Sequence, residues 1–182
     1  MKKDYTNLIH AERTSITPSG FFGSSSKMIQ CRENFLDDEN ALKVLNFVKT
    51  ISFWDETVTK YNENGTIIYE SEYWKDRVAN ESTINKQDPS IPPILHSFVK
   101  KLKKEVDEFY NVNAHPTNPA LVRWLPGQFQ NPHADKELHE GPDAGKPNDF
   151  PYFDIASLFY LNEDYEGGEL YFPNQNIEFK PK

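Results

Sequence analysis

The 182-residue chain has one cysteine, two methionines and no apolar run long enough to cross a membrane. Because Cys31 is the single cysteine, an internal disulfide is excluded, and a reducing compartment is the simplest expectation. The first residues, Met1 to Asn7, are polar rather than apolar, so no signal peptide is visible. We therefore predict a soluble, cytoplasmic protein with no membrane partner.

Positive charge is also scarce. Lysine and arginine number 20 against 28 aspartates and glutamates, which gives a net charge of −8. Because such a surplus repels phosphate backbones, nucleic acid is not expected as a partner. Aromatic residues, by contrast, make up 14% of the chain, which is typical of a fold rich in β-strands.

The chain length fits one domain with an N-terminal arm. Residues 14 to 26 are rich in turn formers and poor in periodic apolar residues, so they predict a loop or flexible arm. Residues 1 to 26 are accordingly assigned to the arm and residues 27 to 182 to a single domain. Within that domain, Met28 to Cys31 predicts a short strand.

Two helices are predicted before residue 118. Asp37 or Asp38 can cap the first, whose apolar positions Leu42, Leu45, Val48 and Ile51 recur in steps of three. The second and clearer helix follows Ser90, with one apolar face made by Ile91, Leu95, Phe98, Leu102, Val106 and Phe109. Its lysines at positions 100, 101, 103 and 104 are predicted to face solvent.

Between these helices, residues 57 to 61 and 66 to 69 predict a hairpin, because Asn64-Gly65 tolerates the positive φ of a tight turn. From Asn118 onward, helical periodicity disappears and short apolar runs alternate with turn residues. Turns are predicted at Pro126-Gly127 and Gly167-Gly168, and a loop over residues 136 to 148. Helices followed by strands predict an α+β domain.

His133 and Asp135 have the spacing of two metal ligands. On a β-strand, side chains two residues apart point to the same face, so an imidazole and a carboxylate can converge on one ion. Two histidines and one carboxylate are the usual ligands of a non-haem Fe(II) oxygenase. The tripeptide alone is weak evidence for a metal site, because His-x-Asp occurs by chance in many chains. Its meaning depends on the residues that follow it.

Those residues form an ordered series: Tyr160-Leu-Asn162, an acidic turn, Gly167-Gly-Glu-Leu170 and a closing Lys180-Pro-Lys182. From about Ala120 to Lys182, the series resembles the catalytic domain of the prolyl 4-hydroxylase-like family of 2-oxoglutarate and Fe(II)-dependent oxygenases. The resemblance implies a jelly-roll, cupin-like double-stranded β-helix over about residues 118 to 182. Helices within about residues 27 to 117 would buttress it.

The resemblance also implies a reaction. Such enzymes use Fe(II) and 2-oxoglutarate, with L-ascorbate to keep the iron reduced, and they hydroxylate an aliphatic C–H while converting 2-oxoglutarate to succinate. It implies His133 and Asp135 as metal ligands and Tyr160 as a contact of the 2-oxoglutarate co-substrate. Trp124 stands where many relatives carry a tyrosine, and an indole cannot replace a phenol as an acceptor. A prolyl residue in a peptide or protein is the favoured substrate.

Two elements of that family have no counterpart before Lys182: a distal histidine as third ligand, and a Lys or Arg for the far carboxylate of 2-oxoglutarate. Completing the barrel would take roughly 30 to 50 further residues at ordinary strand and loop lengths. We therefore expect an incomplete core in a truncated product of a full oxygenase, and poor binding of iron and 2-oxoglutarate by these residues alone.

Two other interpretations stay open. The first is a non-catalytic β-sandwich that binds or supports without turnover. The second is a local zinc site formed by His133, Asp135 and His139. His10, His96 and His115 have no ligand-like neighbours, so surface or capping roles are predicted for them. The pattern does not reveal the oligomeric state, or whether the substrate is a peptide or a small molecule.

Overall fold

The structure, a computed structural model, describes residues 14–16, 20–22, 29–56, 58–61, 64, 67–71, 74–135, 137, 146–147 and 154–180. The chain divides into two compact units. We call Leu36–Pro126 the central unit, and Met1–Phe35 together with Gly127–Lys182 the discontinuous unit. The predicted arm over residues 1 to 26 and the predicted domain over residues 27 to 182 stay predictions.

The described residues form nine short strands and three helices. In chain order they are β1 Thr14–Ile16, β2 Gly20–Phe22, β3 Ile29–Cys31, α1 Asp38–Thr50, β4 Val58–Tyr61, β5 Ile67–Ser71, β6 Val78–Ala79, α2 Glu81–Gln87, α3 Ile91–Tyr110, β7 Leu121–Val122, β8 Leu170–Phe172 and β9 Ile177–Phe179.

Helix α1 of the central unit begins at the predicted cap. Oδ1 of Asp37 accepts a hydrogen bond of 2.9 Å from the backbone N–H of Asn40. That bond satisfies one of the donors that the first turn of a helix leaves without a partner. The N-cap prediction is confirmed at Asp37.

The face of α1 that is buried differs from the predicted face. Val44 and Phe47 are buried, whereas Leu42 is 56% exposed, so the prediction is wrong at Leu42. Repeated steps of three residues drift around a helix that has 3.6 residues per turn. The spacing of Val44, Phe47 and the half-buried Val48 keeps one face inward.

Helix α3 packs as predicted. Ile91, Leu95, Phe98 and Val106 are buried along one face, and prolines occupy the first turn, where a missing N–H costs nothing. Three of the four lysines predicted to face solvent are exposed. The fourth, Lys103, is half-buried and donates to the Asp107 carboxylate and, over 3.1 Å, to Oδ1 of Asn113.

Helix α2 is tied by side chains to the segment after α1. The Asp55 carboxylate accepts a hydrogen bond of 2.7 Å from the backbone N–H of Asn80 and a second from the Thr83 hydroxyl. Oε1 of Gln87 accepts from the backbone N–H of Ser52 over 2.9 Å, and its amide nitrogen donates to the carbonyl of Phe53 over 2.9 Å. These bonds fix residues 52 to 55 against the start and end of α2.

Strands β4 and β5 form the predicted antiparallel hairpin, with a register shift between Lys60 and Tyr61. Its predicted Asn-Gly turn lies mostly outside the described residues. Strands β6 and β7 pair antiparallel through Val78↔Val122 and Ala79↔Leu121.

The discontinuous unit contains a three-stranded sheet of order β1-β9-β8 and the antiparallel pair β2-β3. Strand β1 runs parallel to β9, and β8 runs antiparallel to it. Ile29, Ile177 and Phe179 form a small buried cluster, with Cys31, Leu170 and Phe172 packed against it. Asn176, with φ of 52°, closes the turn between β8 and β9.

Two strands lie within residues 14 to 26, which were predicted as a loop. The prediction is wrong at the six residues of β1 and β2. A three-residue strand is too short to show an alternating pattern, and the partner of β1 is β9, at the other end of the sequence. Pairing between such distant segments leaves no local signal.

No helix follows Asn111 among the described residues, but strands there are few as well. Residues 154 to 169 contain no strand, and only β7, β8 and β9 lie beyond residue 118. The α+β double-stranded β-helix therefore stays a prediction. Among the described helices, none combines the length and the apolar character needed to cross a membrane.

Candidate functional site

His133 and Asp135 lie on an irregular segment rather than on a strand. Pro132, just before the histidine, has no N–H to donate to a strand ladder. After the histidine the chain turns, since the backbone N–H of Glu137 donates to the carbonyl of Ala134 over 2.9 Å. The prediction that the motif sits on a β-strand is wrong for these reasons.

The two side chains nevertheless converge. Nε2 of His133 lies 3.5 Å from Oδ1 of Asp135, while Nδ1 of the same ring lies 2.7 Å from the carbonyl oxygen of Asn131. A ring N–H on Nδ1 that donates to this carbonyl directs Nε2 toward the carboxylate. The Asp135 carboxylate, followed by the Asn131 carbonyl, raises the pKa of His133, and partial burial opposes the rise.

This geometry suits two ligands of one metal ion. The contact is that of an ion pair, and it also allows both atoms to bind one ion, because ligand bonds of about 2.1 Å place their donor atoms about 3.0 Å apart at a right angle and about 3.4 Å apart at the tetrahedral angle. A ligating histidine commonly donates its other N–H to a backbone carbonyl, as His133 can to Asn131. Within the described ranges, no group of three or more His, Cys, Asp or Glu side chains could hold an ion.

Tyr160, the predicted co-substrate contact, lies in a cleft of the discontinuous unit with a volume of about 480 Å³. The described residues that line the cleft are Glu33, Asn34, Tyr160, Leu161, Asn162 and Glu163. Desolvation, followed by the nearby Tyr165, raises the pKa of Tyr160 to about 12. The phenol therefore stays protonated at neutral pH and can both donate and accept a hydrogen bond.

An aromatic stack joins the two walls of this cleft. Phe35, next to Asn34, stacks on Phe159, next to Tyr160, with ring centroids 5.7 Å apart and 22° between the ring planes. Asn34 itself has φ of 54°, a left-handed conformation that asparagine adopts more readily than most residues. The stack and the turn together hold residues 33 to 34 opposite residues 160 to 163.

Trp124 packs within the central unit. Its ring meets that of Trp74 edge-on at 5.9 Å, and the guanidinium carbon of Arg77 lies 4.9 Å from the centre of the Trp124 ring. The guanidinium of Arg123 stacks in the same way on Trp54, at 4.4 Å. All three tryptophans of the chain thus take part in ring or cation–π contacts in this unit.

His96 and His115 lie at the surface, as predicted from the sequence. Nε2 of His96 pairs with Oε1 of Glu81 at 2.9 Å on the surface, and His115 is exposed. His10 and His139 lie outside the described residues, as does most of the predicted loop over residues 136 to 148.

Sequence reasoning missed two parts of the site. The carbonyl of Asn131 orients the His133 ring, and the only trace of it is the Asn131-Pro132-His133 order, which favours an extended residue before proline. Glu33 lines the Tyr160 cleft, but it lies far from Tyr160 along the chain, and an isolated glutamate carries no pattern.

Similarity to known proteins is limited. The chain is 29% identical over 112 residues to a protein of Acanthamoeba polyphaga mimivirus named "Putative prolyl 4-hydroxylase". The match covers 58% of this chain and 41% of the relative's length, so the chain spans less than half of that protein. No family model matches the chain, and no solved structure matches it significantly.

Proposed function

We propose that the protein is an Fe(II) and 2-oxoglutarate-dependent oxygenase that hydroxylates an aliphatic C–H, in the first instance a prolyl residue of a peptide or protein. L-ascorbate would keep the iron reduced. The similarity to the mimivirus protein supports an oxygenase of this general type. The observation that carries the proposal is the distance of 3.5 Å between Nε2 of His133 and Oδ1 of Asp135.

In this proposal, Nε2 of His133 and a carboxylate oxygen of Asp135 hold the iron. An imidazole and a hard anionic oxygen are donor types that Fe(II) accepts, and a second histidine, the co-substrate and O2 would take the remaining positions of such a site. Iron held there would supply the activation of O2.

The contribution of the chain itself is orientation. A proton on Nδ1, donated to the Asn131 carbonyl, would leave the lone pair of Nε2 to bind the ion. The turn closed by Ala134 and Glu137 sets the backbone of Asp135 so that its side chain meets the ring. The proposed metal position lies beside these two donor atoms, which are 3.5 Å apart.

The test measures turnover and metal binding in protein expressed from its complete reading frame. With Fe(II), 2-oxoglutarate, ascorbate and a proline-containing peptide, the protein should release succinate and add one oxygen atom to the peptide. His133→Ala and Asp135→Ala should each lower succinate release by at least about 100-fold, because loss of even an outer-shell partner costs 10- to 100-fold.

His96→Ala is the matched control, because it removes a surface imidazole without touching the pair. It should keep both turnover and Fe(II) affinity. Succinate release that persists in His133→Ala would contradict the proposal. So would Fe(II) binding without any succinate in the unaltered protein, which would favour a non-catalytic binding protein. Loss of metal binding in His139→Ala alone would favour the local zinc site.

A further inference from the structure

The imidazole of His133 reaches back across Pro132 to the residue before it. Its Nδ1 lies 2.7 Å from the carbonyl oxygen of Asn131, so this hydrogen bond is closed within three consecutive residues. A bond of this kind depends on the few torsions that join the carbonyl to the ring, and not on packing by distant parts of the chain. Those torsions belong to Pro132 and His133.

Pro132 fixes one of them. The pyrrolidine ring of a proline locks φ at about −65°. Rotation about this φ turns the peptide unit that carries the Asn131 carbonyl relative to the Cα of Pro132. Because the rotation is blocked, the carbonyl oxygen is held in one direction as seen from His133, and the imidazole meets an acceptor that is already in place. With any other residue at position 132, the carbonyl could rotate away from the ring.

The carboxylate of the pair is set by a separate local bond. The backbone N–H of Glu137 donates to the carbonyl of Ala134 over 2.9 Å, which closes a turn around Asp135. Residues 131 to 135 contain no strand, so no ladder of backbone hydrogen bonds aligns the two side chains. The proline therefore acts on the imidazole, and the turn acts on the carboxylate.

A local restraint matters at this place because the surface supplies few others. Asn131 and Asp135 are exposed, and Pro132 is half-buried. A side chain that must be ordered when a ligand binds lowers the affinity for that ligand, whereas a side chain held in its binding orientation beforehand does not. A proline that presets the ring would thus strengthen the binding of an ion by Nε2 of His133.

We propose that Pro132 is a positioning residue of the candidate metal site, which acts through the Asn131 carbonyl to hold the His133 imidazole in its binding orientation. The proposal rests on the proposed function where it concerns Fe(II), but the orientation of the ring is tested on the metal-free protein. It also distinguishes two neighbours: the backbone of Asn131 takes part, and its side-chain amide does not.

Two variants test this distinction by NMR of the metal-free protein. Three-bond couplings from the backbone nitrogen and carbonyl carbon of His133 to its Cγ report whether the side chain keeps one χ1 rotamer. One rotamer is expected in the unaltered protein and in Asn131→Ala, which keeps both the carbonyl and the proline. Averaged rotamers are expected in Pro132→Ala. A single rotamer in Pro132→Ala, or averaging in the unaltered protein or in Asn131→Ala, would overturn the proposal.

Fe(II) affinity, measured by anaerobic titration of protein expressed from its complete reading frame, is the second readout. Pro132→Ala should weaken Fe(II) binding by about two- to fivefold, the effect expected when the restraint of one proline is released. Asn131→Ala should leave it unchanged. Pro126→Ala is the matched control, because it removes a proline from an exposed turn outside the pair and should change neither the couplings nor the affinity. An equal loss in Pro126→Ala would overturn the proposal.

The couplings also separate the positioning role from the oxygenase reaction. Ring orientation tests Pro132 only, and succinate release tests the oxygenase only, so failure of one is distinguishable from failure of the other. A ring that keeps one rotamer in Pro132→Ala would overturn the positioning role even if the unaltered protein releases succinate.

Discussion

The central unit contains most of the apolar side chains that are buried among the described residues, whereas the discontinuous unit contains few of them. Among the described residues, the buried apolar side chains of the discontinuous unit are Ile29, Ile177 and Phe179, and all others belong to the central unit. Large exposed apolar side chains occur in both units of the described structure: four in the discontinuous unit, between 41% and 74% exposed, and six in the central unit, between 46% and 56% exposed. Both candidate sites, the His133–Asp135 pair and the Tyr160 cleft, belong to this less buried unit.

The difference indicates a division of roles. Regions with few buried apolar contacts open at lower free energy than helical cores, and binding segments are drawn from them. The central unit therefore supplies most of the stability of the described chain, and the discontinuous unit supplies the candidate chemistry.

The largest effect is expected from Phe98→Ala in α3, because Phe98 is 4% exposed in the helical core. Removing a buried phenylalanine typically costs about 3–5 kcal/mol of unfolding free energy. Urea unfolding followed by circular dichroism should show this loss. Phe53→Ala is the control, since Phe53 is 49% exposed, and it should change the unfolding free energy far less. Similar losses in the two variants would refute the proposed core.

The next effect is expected in the discontinuous unit. Gly168 has φ of +71°, and a Cβ there would lie 2.9 Å from Cε2 of Tyr165. Strain and overlap together predict a loss of about 2–3 kcal/mol for Gly168→Ala.

Gly167 provides the matched control, because it has φ of +78° but a Cβ there would meet only a glutamate oxygen at 3.9 Å. Gly167→Ala should cost about 1 kcal/mol, the backbone term alone. Amide hydrogen exchange can locate each loss. Loosening confined to the central unit in Gly168→Ala would contradict the division of roles.

The smallest effect concerns the cap of α1. Hydrogen bonds from Asn40, first from its backbone and then from its side chain, lower the pKa of Asp37. A lowered folded-state pKa stabilises the protein above the unfolded pKa of about 3.9, and that stability is lost as pH falls through the folded value. Asp37→Asn keeps a capping oxygen but not the charge. Its Tm should fall below that of the unaltered protein at pH 7 and approach it at low pH, whereas a constant difference would exclude the charge contribution.

The sequence predicted what local patterns encode. The face of α3 followed from a 3.6-residue period with prolines at its start, and Asp37 followed from capping chemistry. The convergence of His133 with Asp135 was also predicted, but through a strand, whereas a proline and a turn produce it.

Pairing between segments that are far apart in the chain could not be predicted from local sequence patterns. Strand β1 pairs with β9, which lies at the other end of the sequence. One wall of the Tyr160 cleft is formed by Glu33 and Asn34, and the stacking of Phe35 on Phe159 holds that wall in place.

The placement of the three tryptophans has an optical consequence. Trp54, Trp74 and Trp124 all belong to the central unit. Light absorbed at the red edge of the near ultraviolet is therefore re-emitted by that unit alone, from indoles that lie beside the guanidinium groups of Arg77 and Arg123. The tryptophan fluorescence of the protein therefore reports on the central unit, and the substitution Phe179→Trp would add a fluorescent reporter in the discontinuous unit.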